Sequence, residues 1–282
     1  MPELPLLEVL KDTLAERLRG RPVRGARALR PGILKTVAPP LDALVGRSVT
    51  GTGRRGKHLI LSFGDELHLV MHLMLTGRLV FSSSGSRATK ATGFVLEFED
   101  GGELRLIEGG TTKRAGVHVV ADPLDVERVA SAGIEPLSPA FTVAALAALA
   151  AGRRRQAKKL LTDQREIAGI GSAYADEILF EAKLSPLRYV NRLSLDEVTA
   201  LHRAVGVVLR RATEELRREA SNRPNLRDLH PHANVYQRTG EPCTRCATPI
   251  AEIRYAQTRT YYCPSCQAGG RHLPDRRSWL AR

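Results

Sequence analysis

Four cysteines fall in two pairs, Cys243-Thr-Arg-Cys246 and Cys263-Pro-Ser-Cys266, with sixteen residues between the pairs. Each CxxC turn brings two thiolates to one ion, and two such turns complete a closed tetrahedral four-sulfur site. Such a site suits one structural zinc and leaves no open position for chemistry. Cys243, Cys246, Cys263 and Cys266 are therefore the expected metal ligands. At the other end the chain begins Met1-Pro2-Glu3-Leu4. Removal of the initiator before a small residue would leave Pro2 as a secondary amine. An α-amino group has a reference pKa of about 8, so a useful fraction is a neutral nucleophile at pH 7. That amine could add to an electrophilic sugar carbon and form an iminium, with Glu3 moving protons beside it. Taken alone, a proline after the initiator is an ordinary occurrence, and zinc ribbons occur in many proteins that only bind.

These residues need elements to position them. From Leu6 to Leu18 the apolar residues Leu7, Leu10, Leu14 and Leu18 recur at helical spacing, and Gly20 and Pro22 end the run. From about Val23 to Val120 the pattern changes to short strands bounded by turn residues. They include His58 to Phe63, Leu67 to Met71, Arg78 to Phe81, Phe94 to Phe98 and Glu103 to Ile107, with a polar loop at 82–90. Short strands at this spacing predict an antiparallel β-sandwich behind a leading helix. Beyond Ala132 the texture is helical: Thr142 to Ala151, a basic amphipathic helix from Arg153 to Thr162, Ser172 to Lys183, and Leu195 to Glu219. Residues 222–232 read as a linker. The cysteine pairs then frame a hairpin carrying Arg254, Arg259, Tyr261 and Tyr262, followed by a basic tail at 269–282. The expected fold is a multidomain α+β chain, divided at 1–131, 132–232, 233–268 and 269–282.

Composition narrows the partner. Forty-three Lys and Arg against thirty Asp and Glu give a formal charge of +13 over 282 residues, which points to a polyanion such as nucleic acid. No run of about 18 apolar residues exists to span a bilayer, and the first residues lack the basic start and apolar core of a signal peptide. The expectation is a cytoplasmic protein without a membrane partner, in which the cysteines are ligands rather than disulfides.

Four features occur in order: Pro2-Glu3-Leu4-Pro5, Arg54-Arg-Gly-Lys57, Asp163-Gln-Arg-Glu-Ile-Ala-Gly-Ile-Gly-Ser172, and the four-cysteine finger. In this the chain resembles the formamidopyrimidine-DNA glycosylase/endonuclease VIII family of bacterial repair enzymes, to about Gln267. The resemblance implies a β-sandwich, a helix-two-turn-helix domain and a zinc finger, with damaged duplex DNA held between domains. It implies a base-excision glycosylase with AP lyase activity, acting as a monomer with no small-molecule cofactor. Pro2 matches the nucleophile, Glu3 the acid/base carboxylate, Glu8 a second N-terminal acid, and Lys57 a hairpin lysine that contacts phosphate beside the lesion. Arg54 and Arg55 flank that lysine as DNA contacts. Gly169 and Gly171 belong to a tight turn that presents backbone N–H groups to a phosphate at a helix start. Among the basic residues Arg153, Arg154 and Arg155, Arg154 is an expected DNA contact, as are Arg114 and Arg259.

The chain also departs from that family. Ser172 stands where the family has an asparagine that bonds a phosphate, and serine has shorter reach. Arg259 lies four residues before Cys263 rather than five; Thr258 holds the usual place, and a shift of one reverses the face. Where a methionine, an arginine and a phenylalanine fill the gap left by a flipped nucleotide, this chain has Leu75, Lys113 and Ala115. Ala115 cannot wedge, and Lys113 cannot make arginine's bidentate contact. Residues 229–234 make a short interval where a lesion cap would lie, and Leu6 replaces a glutamate. These changes leave a second reading, a lesion- or structure-specific DNA-binding protein of the same fold with little turnover.

Overall fold

Helix α1 spans Leu4–Leu18, beginning two residues before the expected start because Pro5 is accommodated in a first turn that needs no proline N–H. Its buried face carries Leu4, Leu6, Leu7, Val9, Leu10, Leu14 and Leu18. Leu6 is thus a core residue, only 3% exposed, and a glutamate there would place a carboxylate among aliphatic side chains.

The computed structural model describes residues 1–83, 87–152, 154–222, 233–255 and 258–274. It divides into two units, Met1–Ala132 with Ala212–Asp228, and Gly133–Arg211 with Leu229–Arg282. In the first unit two antiparallel four-stranded sheets share one core. One sheet runs β1 (Val23–Ala28), β6 (Thr92–Phe98), β7 (Gly102–Glu108), β5 (Gly77–Ser83). The other runs β2 (Gly51–Arg55), β3 (His58–Ser62), β4 (His68–His72), β8 (Gly116–Val120). Strand alternation sends Leu59, Leu61, Leu69, Met71, Val117 and Val119 inward to meet Phe94, Leu96, Phe98, Leu104, Leu106 and α1. The opposite face of the second sheet carries His58, Ile60, Val70, His72, His118 and Val120. A single turn, α2 (Glu127–Ala130), covers part of it, Val126 and Val129 packing on Ile60, Val70 and Val120.

In the second unit α3 (Val143–Ala150) is capped by the Thr142 hydroxyl, which accepts from Ala145 N. The basic stretch expected as one helix is different. Helix α4 spans only Ala157–Thr162; Arg154 and Arg155 lie outside it, and Arg153 lies outside the described residues. Tertiary pairing replaces helix here: Ala157 N donates to Arg188 O and Val190 N to Arg155 O, 2.8 and 2.9 Å, fixing an extended segment. Helix α5 (Ser172–Glu181) follows, then α6 (Leu195–Asn222), whose last turns belong to the first unit and place Leu216 in the sandwich core. The finger comprises β9 (Ala251–Tyr255), β10 (Thr258–Tyr262) and α7 (Pro264–Ala268). Residues 223–232, which include part of the expected short cap, and 275–282 of the basic tail lie outside the described residues.

Candidate functional site

In the first unit Pro2 and Glu3 are buried at the start of α1, Glu3 only 3% exposed. One turn along, Glu8 Oε1 accepts from Arg54 Nε and Nη2, both at 2.8 Å, and Glu8 also pairs with Lys11. Burial would raise the Glu8 carboxyl, but the Lys11 hydrogen bond and the Arg54 charge prevail and hold it below the ordinary range. Arg54 Nη1 in turn donates to Gly56 O at 2.8 Å. Gly56 and Lys57 form the two-residue turn between β2 and β3, with Gly56 at φ +55, the conformation that a first central glycine allows. A chain of charge-assisted bonds therefore runs from α1, which begins at Pro2-Glu3, through Glu8 and Arg54 to the turn that carries Lys57. Lys57 itself is buried, and Arg55 is tied to Ala132 O.

Two further loops of this unit meet. Leu75 is 61% exposed on the β4–β5 turn, where Met74 takes φ +53 and its N–H donates to His72 Nδ1 at 3.0 Å. Gly77 closes this turn so tightly that a Cβ would stand 2.1 Å from Leu73 O. Thr76 Oγ1 donates to Gly109 O at 2.6 Å, joining the turn to the loop that bears Lys113 and Arg114. Glu108 anchors the base of that loop, accepting from Arg114 N (2.7 Å), Ala115 N (3.1 Å) and Arg30 Nη1 (2.6 Å). Burial works against this carboxylate, yet the Arg114 N–H and Arg30 keep it below its ordinary value. Lys113 Nζ reaches Lys90 O, Arg114 is exposed, and Ala115 is buried in the sandwich core. Leu75 is the apolar side chain this pair of loops presents outward.

In the second unit Gly171 caps α5, and Ser172 Oγ lies 3.5 Å from Arg259 O, at the outer limit of a hydrogen bond. The preceding turn is stapled by Gln164, whose Nε2 donates to Thr162 O and Ile170 O while its Oε1 accepts from Gly169 N. Gly169 has φ +84, open to glycine. Behind the hairpin, the fully buried Asp176 accepts from Tyr261 N at 3.1 Å and pairs with Lys158 at 2.7 Å. Lys158 Nζ also donates to Arg259 O and Thr260 Oγ1, at 2.9 and 3.0 Å. Burial pushes the Asp176 carboxyl up to about 7 against the opposing pull of Lys158. In the hairpin Arg259 pairs with Arg254 and Thr258 with Tyr255. Alternation thus puts exposed Arg259 on the face of Tyr261, and Thr258 on the face of Thr260. Arg154 is exposed near the Tyr189 ring, 5.6 Å from its centroid.

The four cysteine sulfurs lie within 4.8 Å of one another. Three of the separations are 3.4, 3.5 and 3.9 Å, against about 3.8 Å for a tetrahedron with Zn–S bonds of about 2.3 Å. Backbone N–H groups of Arg245 and Cys266 point at the sulfurs of Cys243 and Cys263, as a thiolate cluster requires. The donor set fits one zinc ion.

Several positioning groups are not singled out by motif. Glu108, Lys158, Asp176 and the histidines of the outer sheet face lie in ordinary strand or helix patterns. The one available signal was period two, with His68, Val70 and His72 sharing a face. Glu177, whose carboxylate accepts from the backbone of Asn234, Val235 and Tyr236, is likewise one helix residue among others until the fold brings that segment to it.

Residues 1–111 match the formamidopyrimidine-DNA glycosylase N-terminal domain, 132–222 the H2TH domain of the same enzymes, and 240–269 a zinc finger found in FPG and IleRS. The formamidopyrimidine-DNA glycosylase of Moorella thermoacetica is 38% identical over 269 residues, covering 90% of this chain and 95% of its own. That of Roseiflexus sp. is 38% identical over 281 residues, covering 95% of this chain and all of its own. Among solved structures, Lactococcus lactis Fpg with Fapy-dG-containing DNA superposes with a TM-score of 0.85 at 26% identity, covering 94% and 100% of the two chains. The same enzyme with AP-site DNA gives 0.83 at 26% identity, covering 94% and 99%.

Proposed function

The chain belongs to the formamidopyrimidine-DNA glycosylase family, and from that premise we propose how its own residues carry out base excision and strand cleavage on damaged DNA. The observation that carries the reading is the bonded path from α1 through Glu8 and Arg54 to the Lys57 turn. It holds a nucleophile-bearing N-terminus and a phosphate-seeking lysine on one rigid scaffold, as preorganised catalysis requires.

With Met1 removed, the neutral Pro2 amine attacks C1′ of an extruded nucleotide. The bond from C1′ to the base breaks, and the base leaves with a proton. The C1′–O4′ bond then opens, Glu3 supplies the proton to O4′, and the nitrogen lone pair forms the iminium. Loss of a C2′ proton expels the 3′ phosphate by β-elimination, and a second elimination expels the 5′ phosphate. Lys57, with Arg54 and Arg55 behind it, holds the phosphate beside the lesion. Leu75 fills the gap left by the flipped nucleotide, with Lys113 and Arg114 on the neighbouring backbone. In the second unit the Gly171–Ser172 helix start, Arg154 and Arg259 contact phosphates. The zinc ion held by Cys243, Cys246, Cys263 and Cys266 shapes the hairpin and takes no part in bond making. The protein acts as a single chain in the bacterial cytoplasm.

Borohydride trapping tests the nucleophile. On AP-site and Fapy-dG duplexes the wild type is expected to give a covalent enzyme–DNA complex, and Pro2→Gly or an N-terminal extension to lose at least nine-tenths of it. Trapping that is unchanged by both sinks the proline assignment. The rival reading, a DNA-binding protein without turnover, draws on the short reach of Ser172 and burial of Ala115. It predicts tight binding with neither base release nor nicking on any lesion.

A further inference from the structure

The outer face of the β2–β3–β4–β8 sheet carries a row of cationic and histidine side chains, of which the excision chemistry uses only Lys57. His58 stands opposite His72 across β3 and β4, their rings 4.5 Å apart. His72 stands opposite Gly116 on β8, and His118 is two residues further along the same face. The Lys35 side chain lies over Gly116, where a Cβ would come within 3.0 Å of Cε and 3.2 Å of Cγ. A side chain at Gly116 would press this lysine back by a few tenths of an ångström. Turn α2, packed on Val70 and Val120 through Val126 and Val129, carries the exposed Arg128 over the same face. Lys57 stands at one end, in the turn that leads into His58.

The charges acting on these rings are all cationic. Burial first, and then neighbouring Arg128, Lys57, Lys35 and the other rings, depress the basicity of His58, His72 and His118. Among the described residues neither the Arg128 nor the His118 side chain forms an ion pair or a hydrogen bond. A folded chain ordinarily scatters counter-charges among its surface cations. An arginine without one, set over this face beside Lys35, favours binding a polyanion, because each cation set against a phosphate releases condensed counterions.

We propose that Arg128, with His118 and Lys35 beside it, forms a second phosphate subsite for the DNA backbone, extending the track that starts at Lys57 across the outer sheet face. The proposal rests on the DNA-binding reading above. The contact is to nonbridging phosphate oxygens, so it adds affinity and register without reading bases. Arg128 supplies the fixed charge. His118 offers a ring N–H, and Lys35 swings its ammonium from Gly32 O, where it now donates, to the same phosphate.

The salt dependence of binding tests this. Affinity for a duplex bearing a tetrahydrofuran abasic analogue is measured between 50 and 200 mM salt for the full chain with zinc. Loss of one phosphate contact lowers the slope of log K against log salt by about 0.9, so Arg128→Gln should lose about three- to fourfold less affinity than wild type across that range. Arg128→Lys, which keeps the charge, should keep the wild-type slope. An unchanged slope in Arg128→Gln, with wild type still steep, overturns the subsite and leaves the DNA reading standing. A lysine variant that falls with the glutamine variant also overturns it, because the role would not be that of a cation on a phosphate. Wild type that binds this duplex without salt dependence overturns both.

Discussion

His58 and His72 show how position alone sets the chemistry of a side chain. Both rings are desolvated, and both face basic groups: His58 faces His72, His118 and Arg128, and His72 faces Arg128, Lys57 and His118. Their values are pushed down from 6.5 to about 3 and about 4. A neutral His72 also suits its contact, because Nδ1 must be unprotonated to accept from Met74 N. Both folded values lie below the unfolded one, so the unfolded chain takes up protons first as pH drops. Their contribution is therefore whole above about pH 6.5 and is lost as the pH falls toward the folded values, by about 1.4 kcal/mol per pH unit for each ring. Proton NMR should find neither ring titrating between pH 8 and 5. His58→Phe, which keeps a flat ring against His72 while removing one proton site, should shrink the loss of stability between pH 6.5 and 5. Either ring titrating near 6.5 would contradict the packing described for this face.

At the scale of elements, periodicity and motif reveal different things. The leading helix, the strands around Phe63, Phe81 and Phe98, and the two cysteine turns follow from spacing because each depends on its own residues. The Arg153–Thr162 helix is shortened to Ala157–Thr162, because backbone pairing with 188–190 lies outside any local window. The same limit hides the support of the candidate site. Pro2, Lys57 and Ser172 belong to recognisable motifs, whereas Glu108 and Asp176 acquire their partners only through the fold. Asp176 shows what such support does. It sits on α5, yet its carboxylate holds Tyr261 N and Lys158, and Lys158 holds Arg259 O. Removing the carboxylate leaves a buried ammonium without its counter-charge and strands a backbone donor, a loss of about 3–5 kcal/mol. Asp176→Ala should therefore destabilise the second unit to denaturant by that amount and speed zinc loss to a chelator. Asp176→Asn keeps an acceptor for Tyr261 N at similar volume, and burial already disfavours the charge it removes, so it should cost less than half as much. Equal losses from the two substitutions would show that the acceptor at Tyr261 is not what matters.

The whole molecule combines two ways of building stability. The first unit has a large aliphatic core joining α1, both sheets and Leu216, and needs no ion. The finger has little to bury: its cluster is Phe180, Val235, Cys243, Ile250, Tyr261 and Cys263, and two of those six are metal ligands. Without zinc, four thiols would repel as thiolates or sit as poorly bonded groups, and the remaining apolar area would not offset the entropy of ordering the hairpin. Zinc binding is therefore folding energy for this segment. Hydrogen exchange resolves the two cases in one experiment. Chelation should abolish amide protection from about residue 240 to 269, including Tyr261 and Tyr262, while β3, β4 and α1 stay protected. Arg259 would then lose its fixed place on β10, and affinity for abasic DNA should fall at least tenfold and return when zinc is restored. Protection that survives in the hairpin after metal removal would mean that Phe180, Ile250 and Tyr261 suffice to fold it. Protection lost equally from α1 and β3 would mean that the first unit's core is not the independent structure its packing describes.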